Sequence, residues 1–274
     1  MDTSLRKKYD YLIVTLKNYG AAAVAFSGGV DSTFLAKAAY DALGGKALAL
    51  TVDSQAYPPD SIALTRRLAR DIGIGLIEIT ADVRDIPMFC SNPPDRCYHC
   101  KKMLFTMMLE RAKANGIDIL MDGSNVDDDD DYRPGHRALR ELGIVSPLKD
   151  HGFTKEKIRI VSRELGLTTW NHQSFACLAS RFPYGDTITP ELLDRTAAAE
   201  DILRELGLSR YRVRNHGDIA RIEADSADFA VIADRDARNQ VVSRLKSLGY
   251  TYITLDLEGY RTGSMNETLK TDEV

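Results

Sequence analysis

The chain has 274 residues, 44% hydrophobic and 28% charged, with a formal net charge of −4. That length holds one large domain or two smaller ones around a substantial core. The acidic balance argues against a global basic field that would recruit nucleic acid, and no apolar run approaches the ~20 residues of a membrane span.

In chain order, residues 4–17 place Leu5, Tyr9, Leu12, Ile13 and Leu16 on one helical face. Lys17 interrupts that stretch and Ser27-Gly28-Gly29 follows soon after, so no signal peptide is read here and a cytoplasmic protein is expected. In that reducing compartment four cysteines point to metal binding or catalysis before disulfides. "AAAVAF" predicts a buried strand, Thr33–Leu43 a helix ended by Gly44-Gly45, and "ALALTV" a second strand followed by Asp53-Ser54. Pro58-Pro59 open a helix to about Ile72, and "GLIEIT" is a third strand. Residues 85–96 are irregular, a helix spans about Lys101–Ala114, and "IDILMDG" is a fourth strand.

Strands alternating with helices imply an α/β fold with a doubly wound parallel sheet, whose ligands lie beyond the carboxyl ends of the strands. The glycine-rich turn, Asp53 and Gly123 all fall there. A helix over about 154–165 leads into a long aromatic stretch, and the expected boundary gives a first domain of residues 1–175 and a smaller α+β domain of 176–274. In the second, Thr189-Pro190 starts a helix to about Leu206. "RYRVRNHGDIARIEA" reads as two strands around a turn, a single helix covers about 227–248, and "YTYITLDL" closes the domain.

Three groups of residues carry chemistry. Ser27, Gly28, Gly29, Asp31 and Ser32, between a buried strand and a helix, form a phosphate-binding turn. There the glycines let backbone N–H groups approach an anion, and the helix dipole favours negative charge. Asp31 would orient the loop or a magnesium ion. The spacing is neither Walker nor Rossmann. Cys97 and Cys100 form a C-x-x-C, with Cys90 and Cys177 further off. Soft thiolates suit zinc or an iron–sulfur cluster, and Cys90, Cys97 and Cys100 with His99 or Cys177 would make up a closed zinc site. Arg210, Arg212 and Arg214 alternate, so they share one strand face, either solvated or set to clamp phosphate. The acid run Asp127–Asp131 is either a solvated face or a source of magnesium ligands.

The turn resembles the PP-loop of the ATP pyrophosphatases, which cleave ATP to AMP and pyrophosphate to activate an acceptor as its adenylate. "SGGVDSTFLAKAA", "CYHCKKMLF", "DYRPGHRALRELGIVSPL", "SRFPYGDTIT", "RVRNHGDIARIE" and "GYRTGSMNETL" together resemble the LarE-type sulfurtransferases of nickel-pincer nucleotide biosynthesis. That resemblance implies adenylation and sulfur insertion at the carboxylates of pyridinium-3,5-biscarboxylic acid mononucleotide, with ATP and Mg2+. It implies a homo-oligomer whose partners are this small mononucleotide and a sulfide or other sulfur donor, with no nucleic acid and no membrane. It makes Arg181 a catalytic candidate and Ser180, Arg212, Arg214, Glu200 and Glu223 substrate-binding candidates. Asp131 is its magnesium candidate, with Arg133 beside the same charge.

One branch of that family sacrifices a cysteine that aligns with position 176, which is Ala here with Cys177 next to it. The other branch holds a [4Fe–4S] cluster on three cysteines, and Cys97, Cys100 and Cys177 match that pattern. The competing expectations are an amidating synthetase, a tRNA thiolase, or a nucleotide-binding module with structural zinc. Amidation gives the cysteines no task, the acidic total argues against an RNA partner, and metal analysis separates the zinc module.

Overall fold

Short apolar strands and amphipathic helices alternate through the first half as the sequence predicts. The computed structural model describes residues 2–130, 134–172 and 176–269. The chain divides into two units, one of Met1–Pro87 and Asp95–Phe175, the other of Met88–Pro94 and Ala176–Val274. Met88–Pro94 counts with the second unit because its polar groups are used there. Asn92 Nδ2 donates to the Pro183 carbonyl at 2.6 Å, Gly185 N to that of Asn92 at 2.9 Å, and Ile188 N to that of Cys90 at 2.8 Å.

In the first unit the elements run α1 (Thr3–Asn18), β1 (Ala22–Ala25), α2 (Val30–Leu43), β2 (Ala47–Asp53), α3 (Ser61–Ile72), β3 (Gly75–Thr80), α4 (Arg96–Ala114), β4 (Leu120–Met121), α5 (Gly135–Glu141), α6 (Pro147–Asp150) and α7 (Lys155–Glu164). The strands pair in the order β3-β2-β1-β4, all parallel. Asp2 caps α1, accepting from Leu5 N at 2.7 Å, and the predicted face buries Leu5, Tyr9, Leu12 and Leu16. Small residues in β1 (Ala22, Ala23 and Val24, all fully buried) let α2 pack closely through Phe34, Leu35 and Ala38.

Several boundaries differ from expectation. Helix α2 starts at Val30 rather than Thr33, which puts Asp31 and Ser32 in its first turn. Helix α4 starts at Arg96 rather than Lys101, because nothing after Pro94 opposes a helix, so both cysteines of the C-x-x-C lie on its first turns. The fourth strand shrinks to two residues and is extended by a parallel bridge from Met121 to Val145. Helices α5 and α6 are additions to the expected order, each too short to show a full period in the sequence.

In the second unit the elements are α8 (Pro190–Glu205), β5 (Tyr211–His216), β6 (Ile219–Ala224), α9 (Phe229–Ala233), α10 (Arg235–Ser247) and β7 (Tyr252–Leu255). Strand β6 is central, antiparallel to β5 and parallel to β7. Thr189 caps α8 as predicted. The expected single helix over 227–248 is broken at Asp234, whose carboxylate caps α10 by accepting from Asp236 N (3.0 Å) and Ala237 N (3.1 Å). Period-two alternation sorts the sheet. Val213, Ala220, Ile222 and Ala224 join the apolar core with α8 and α10, while Arg212, Arg214, Arg221 and Glu223 take the other face.

Candidate active site

The glycine turn is a preformed cradle. Gly28 has φ +75°, and a Cβ there would meet Thr65 Cγ2 at 3.3 Å, so both conformation and space require glycine. Ser32 Oγ donates to the Gly29 carbonyl (3.2 Å) and lies 3.1 Å from Ser27 Oγ, while Ser27 N donates to Ser32 Oγ at 3.3 Å. These bonds tie the loop across the start of α2, whose first N–H groups have no partner within the helix. Gly123, just after β4, approaches the same turn. A Cβ on it would stand 3.0 Å from Ser32 N and 3.2 Å from the Asp31 carbonyl carbon. Asp53 ends β2, with its carbonyl accepting from Ala81 N at 2.9 Å.

Asp31 is paired with a residue that belongs to none of the motifs above. Lys155, the first residue of α7, donates to Asp31 Oδ2, and its backbone N–H donates to Asp127 Oδ2 at 2.8 Å. Arg159, one turn on, also bears electrostatically on Asp31. Burial raises the Asp31 carboxyl above the usual carboxylate range, and Lys155 opposes that shift without cancelling it. Asp31 Oδ1 is buried with no hydrogen-bond partner among the described residues, an acceptor suited to a cation. The signal for Lys155 was its place just after the Thr154 cap; its partner is 124 residues away. Within the acid run, Asp127 and Asp128 are partly used locally, Asp128 Oδ2 accepting from Asn125 N at 2.9 Å. Asp131 and Arg133 lie outside the described residues.

Cys97 is exposed and Cys100 half-buried, three residues apart on one face of α4. Helix α5 packs against this turn: a Cβ on Gly135 would meet Lys101 Cδ at 2.6 Å and the Cys97 carbonyl at 3.4 Å. Tyr98 supports it, carrying the Arg137 guanidinium 3.7 Å above its ring and donating to Glu141 at 2.8 Å. Cys90 is half-buried, as is Cys177. Among the described residues, no group of three or more His, Cys, Asp or Glu is placed to hold a metal ion.

In the second unit the predicted substrate residues converge into one network. Arg181, 2% exposed, forms a two-pronged pair with Glu200 (Nε–Oε1 2.8 Å, Nη2–Oε2 2.9 Å). Its Nη1 donates to the Cys177 carbonyl (3.2 Å) and to Ser180 Oγ (2.8 Å), fixing the Cys177 loop. Arg214 Nη2 donates to Glu223 Oε2 at 2.6 Å and to Ser264 Oγ at 2.9 Å, and Nη1 to the Ser180 carbonyl at 2.9 Å. Glu223 is fully buried and also faces Arg221 Nη2 at 3.2 Å. Arg212 differs, since its hydrogen bond goes to the neighbouring Tyr211 carbonyl (2.7 Å) and its guanidinium lies 5.3 Å from the Tyr260 ring centre. Burial, and after it the charge of Arg181, lowers the Arg212 pKa below the usual arginine range.

Four guanidiniums, Arg181, Arg212, Arg214 and Arg221, thus share this network with three carboxylates, Glu200, Glu223 and Asp256. Arg261 also approaches Asp256 (Nη1–Oδ1 3.7 Å) and pairs in turn with Glu258 and Glu267. Arg221 and Ser264 were not singled out from sequence. The alternation that marked Arg212 and Arg214 also marks Arg221 and Glu223 across the hairpin; nothing local marks Ser264.

No family model matches the chain. It is 40% identical over 270 residues to the pyridinium-3,5-bisthiocarboxylic acid mononucleotide synthase of Lactiplantibacillus plantarum, covering 97% of this chain and 96% of that protein. An uncharacterized protein of Synechocystis sp. is 40% identical over 248 residues, 90% of this chain and 92% of the relative. A subunit of the glutamine-hydrolyzing GMP synthase of Thermoplasma acidophilum is 27% identical over 207 residues, 70% of this chain and 66% of the relative.

Proposed function

The chain belongs to the LarE-type pyridinium-3,5-bisthiocarboxylic acid mononucleotide synthases, and from that premise we propose that it inserts sulfur into the carboxylates of pyridinium-3,5-biscarboxylic acid mononucleotide at the expense of ATP. A substrate carboxylate oxygen attacks the α-phosphorus of ATP, and pyrophosphate leaves into the cradle of Ser27–Ser32. Sulfur then attacks the carboxyl carbon and AMP departs with the former carboxylate oxygen, leaving a thiocarboxylate. The sequence repeats at the second carboxylate. The observation that carries this reading is the synthase relative's identity across nearly the whole of both chains.

Each unit has its own task in this reading. Backbone N–H groups and the Ser27 and Ser32 hydroxyls bind the pyrophosphate as it leaves. Lys155 neutralises added phosphate charge once it releases Asp31, and Asp31 Oδ1 is the described oxygen that fits magnesium, with Asp131 a further candidate. Arg212 and Arg214 bind the mononucleotide phosphate, and Arg181, held by Glu200, keeps the Cys177 loop in place.

For the sulfur source we propose a [4Fe–4S] cluster held by Cys97, Cys100 and Cys177. The donor chemistry fits: Cys97 and Cys100 share one helix face with thiols exposed or half-buried, and thiolates are the usual cluster ligands. When bound, a cluster with three protein ligands supplies an open iron on which a sulfide for transfer can be carried. The enzyme is proposed to be a cytoplasmic homo-oligomer with no nucleic-acid partner. No helix among the described residues is long and apolar enough to cross a membrane.

The test is anaerobic purification followed by iron, sulfide and product analysis with ATP and the mononucleotide. AMP and pyrophosphate are expected; ADP and phosphate would sink the adenylation step. Stoichiometric iron, lost in Cys97→Ala, Cys100→Ala and Cys177→Ala, supports the cluster, whereas zinc without iron removes it. A mass loss of about 34 at Cys177 after turnover, hydrogen sulfide leaving dehydroalanine, would instead assign the sulfur to that cysteine.

A further inference from the structure

The C-terminal segment after β7 touches both substrate arginines, although it is remote from them in sequence. We propose that residues Gly259–Ser264 are a working part of the mononucleotide site, with Ser264 and Tyr260 as positioning residues for Arg214 and Arg212. This rests on the reading above that those arginines hold the substrate phosphate.

Arg214 and Arg221 are direct cross-strand partners, a juxtaposition of like charges that would drive their guanidiniums apart. Glu223 lies between them, with Oε2 2.6 Å from Arg214 Nη2 and Oε1 3.2 Å from Arg221 Nη2. A carboxylate shared in this way can be drawn toward either arginine. Ser264 Oγ resolves the competition, since it donates to Glu223 Oε1 at 2.7 Å and accepts from Arg214 Nη2 at 2.9 Å. A hydroxyl is the small group able to donate and accept at once. It closes a triangle of Arg214, Glu223 and Ser264 that fixes the guanidinium plane, and Nε of Arg214 remains buried without a partner among the described residues.

Tyr260 does the corresponding work for Arg212 by another interaction. The Arg212 guanidinium lies 5.3 Å and that of Arg210 5.4 Å from the centre of its ring. A cation–π contact holds a guanidinium in place without occupying its N–H groups, which stay available to an anion.

The segment is seated independently of these contacts. Gly259 has φ +73°, and a Cβ there would stand 2.9 Å from the Ala224 carbonyl oxygen. Tyr260 N donates to that same carbonyl at 2.8 Å. Gly263, φ +79°, turns the chain into the short helix that begins at Ser264. Tyr184 then donates to Asn266 Oδ1 at 2.9 Å, and Arg261 pairs with Glu258 and Glu267. Removing one hydroxyl at 264 therefore takes away positioning while the segment stays docked.

The experiment measures KM for the mononucleotide and for ATP, kcat, and Tm, in the full-length protein with AMP release as readout. Ser264→Ala should raise the mononucleotide KM about tenfold, the scale of one charge-assisted hydrogen bond, with ATP KM and Tm little changed. Ser264→Thr, which keeps the hydroxyl, should recover most of that loss. Tyr260→Leu should raise the same KM several-fold, and Tyr260→Phe should restore it. Ser264→Ala should add little to Arg214→Ala, because it acts through that arginine. If Arg212→Ala and Arg214→Ala raise the mononucleotide KM while Ser264→Ala and Tyr260→Leu do not, the positioning role is overturned and the arginine site stands. If none of the four changes it, the arginine site itself is wrong and the inference falls with it. A parallel loss for ATP together with a fall in Tm would reduce the segment to a structural part.

Discussion

The two surfaces proposed to bind anions are built by opposite means. In the first unit the cradle is backbone: glycines, the start of α2 and two serine hydroxyls, with Gly28 and Gly123 giving room for close approach. In the second unit the surface is side chain: three arginines on a small mixed sheet and Arg181 from the turn after Cys177, held by carboxylates and a serine. A backbone cradle needs no counter-charge when empty, because its N–H groups are dipoles. An arginine cluster does need one, so Glu200 and Glu223 are structural necessities of the empty site as much as features of a substrate site.

That contrast predicts where each unit breaks. The largest effect on stability belongs to the second unit. Glu223→Ala leaves Arg214 buried without its partner and should destabilise by about 3–5 kcal/mol, read from urea unfolding. A loss below about 1 kcal/mol would mean that water enters and solvates the arginine. Ser32→Ala in the first unit should leave unfolding nearly unchanged and instead slow AMP formation by about 10²-fold or more, the scale of one lost donor at developing charge. An intact rate would break the cradle assignment. Next in size, Arg212→Ala should weaken mononucleotide binding by about 1.5–3 kcal/mol with ATP affinity preserved, and Arg212→Lys should restore only part.

The same contrast explains what could be read from the sequence. The cradle was legible because its parts lie within six consecutive residues, between a buried strand and a helix whose patterns are strong. The sheet face was half legible. Alternation put Arg212 and Arg214 on one side, but their partners depend on pairings across 9 residues to Glu223 and 50 to Ser264, which no local pattern reports. Lys155 was missed for the same reason, since its partner Asp31 lies on a different helix. Helix ends were misplaced where apolar periodicity did not decide them. Asp234 turned one long helix into two, and Pro94 released α4 five residues earlier than expected, bringing Cys97 and Cys100 onto one helical face.

The smallest predicted effect is also the one that tests a buried charge of the first unit. Burial raises the Asp31 carboxyl above its unfolded value, and Lys155 opposes the shift only in part. The native state therefore binds this proton more tightly than the unfolded chain does. Stability contributed by Asp31 is greatest at low pH and is lost as pH rises from the ordinary carboxylate value, about 3.9, through the raised native one. At neutral pH the ionised group is a cost, which the proposed cation or Lys155 exchange would offset. Asp31→Asn should accordingly be as stable as the native protein or slightly more stable at pH 7, with the difference vanishing below about pH 4. AMP formation should be lost, and the stabilisation that ATP with magnesium gives the native protein should shrink. A variant that melts earlier at pH 7 would show that attraction to Lys155 outweighs burial. In that case the pair would be a structural strut rather than a charge held ready for the reaction.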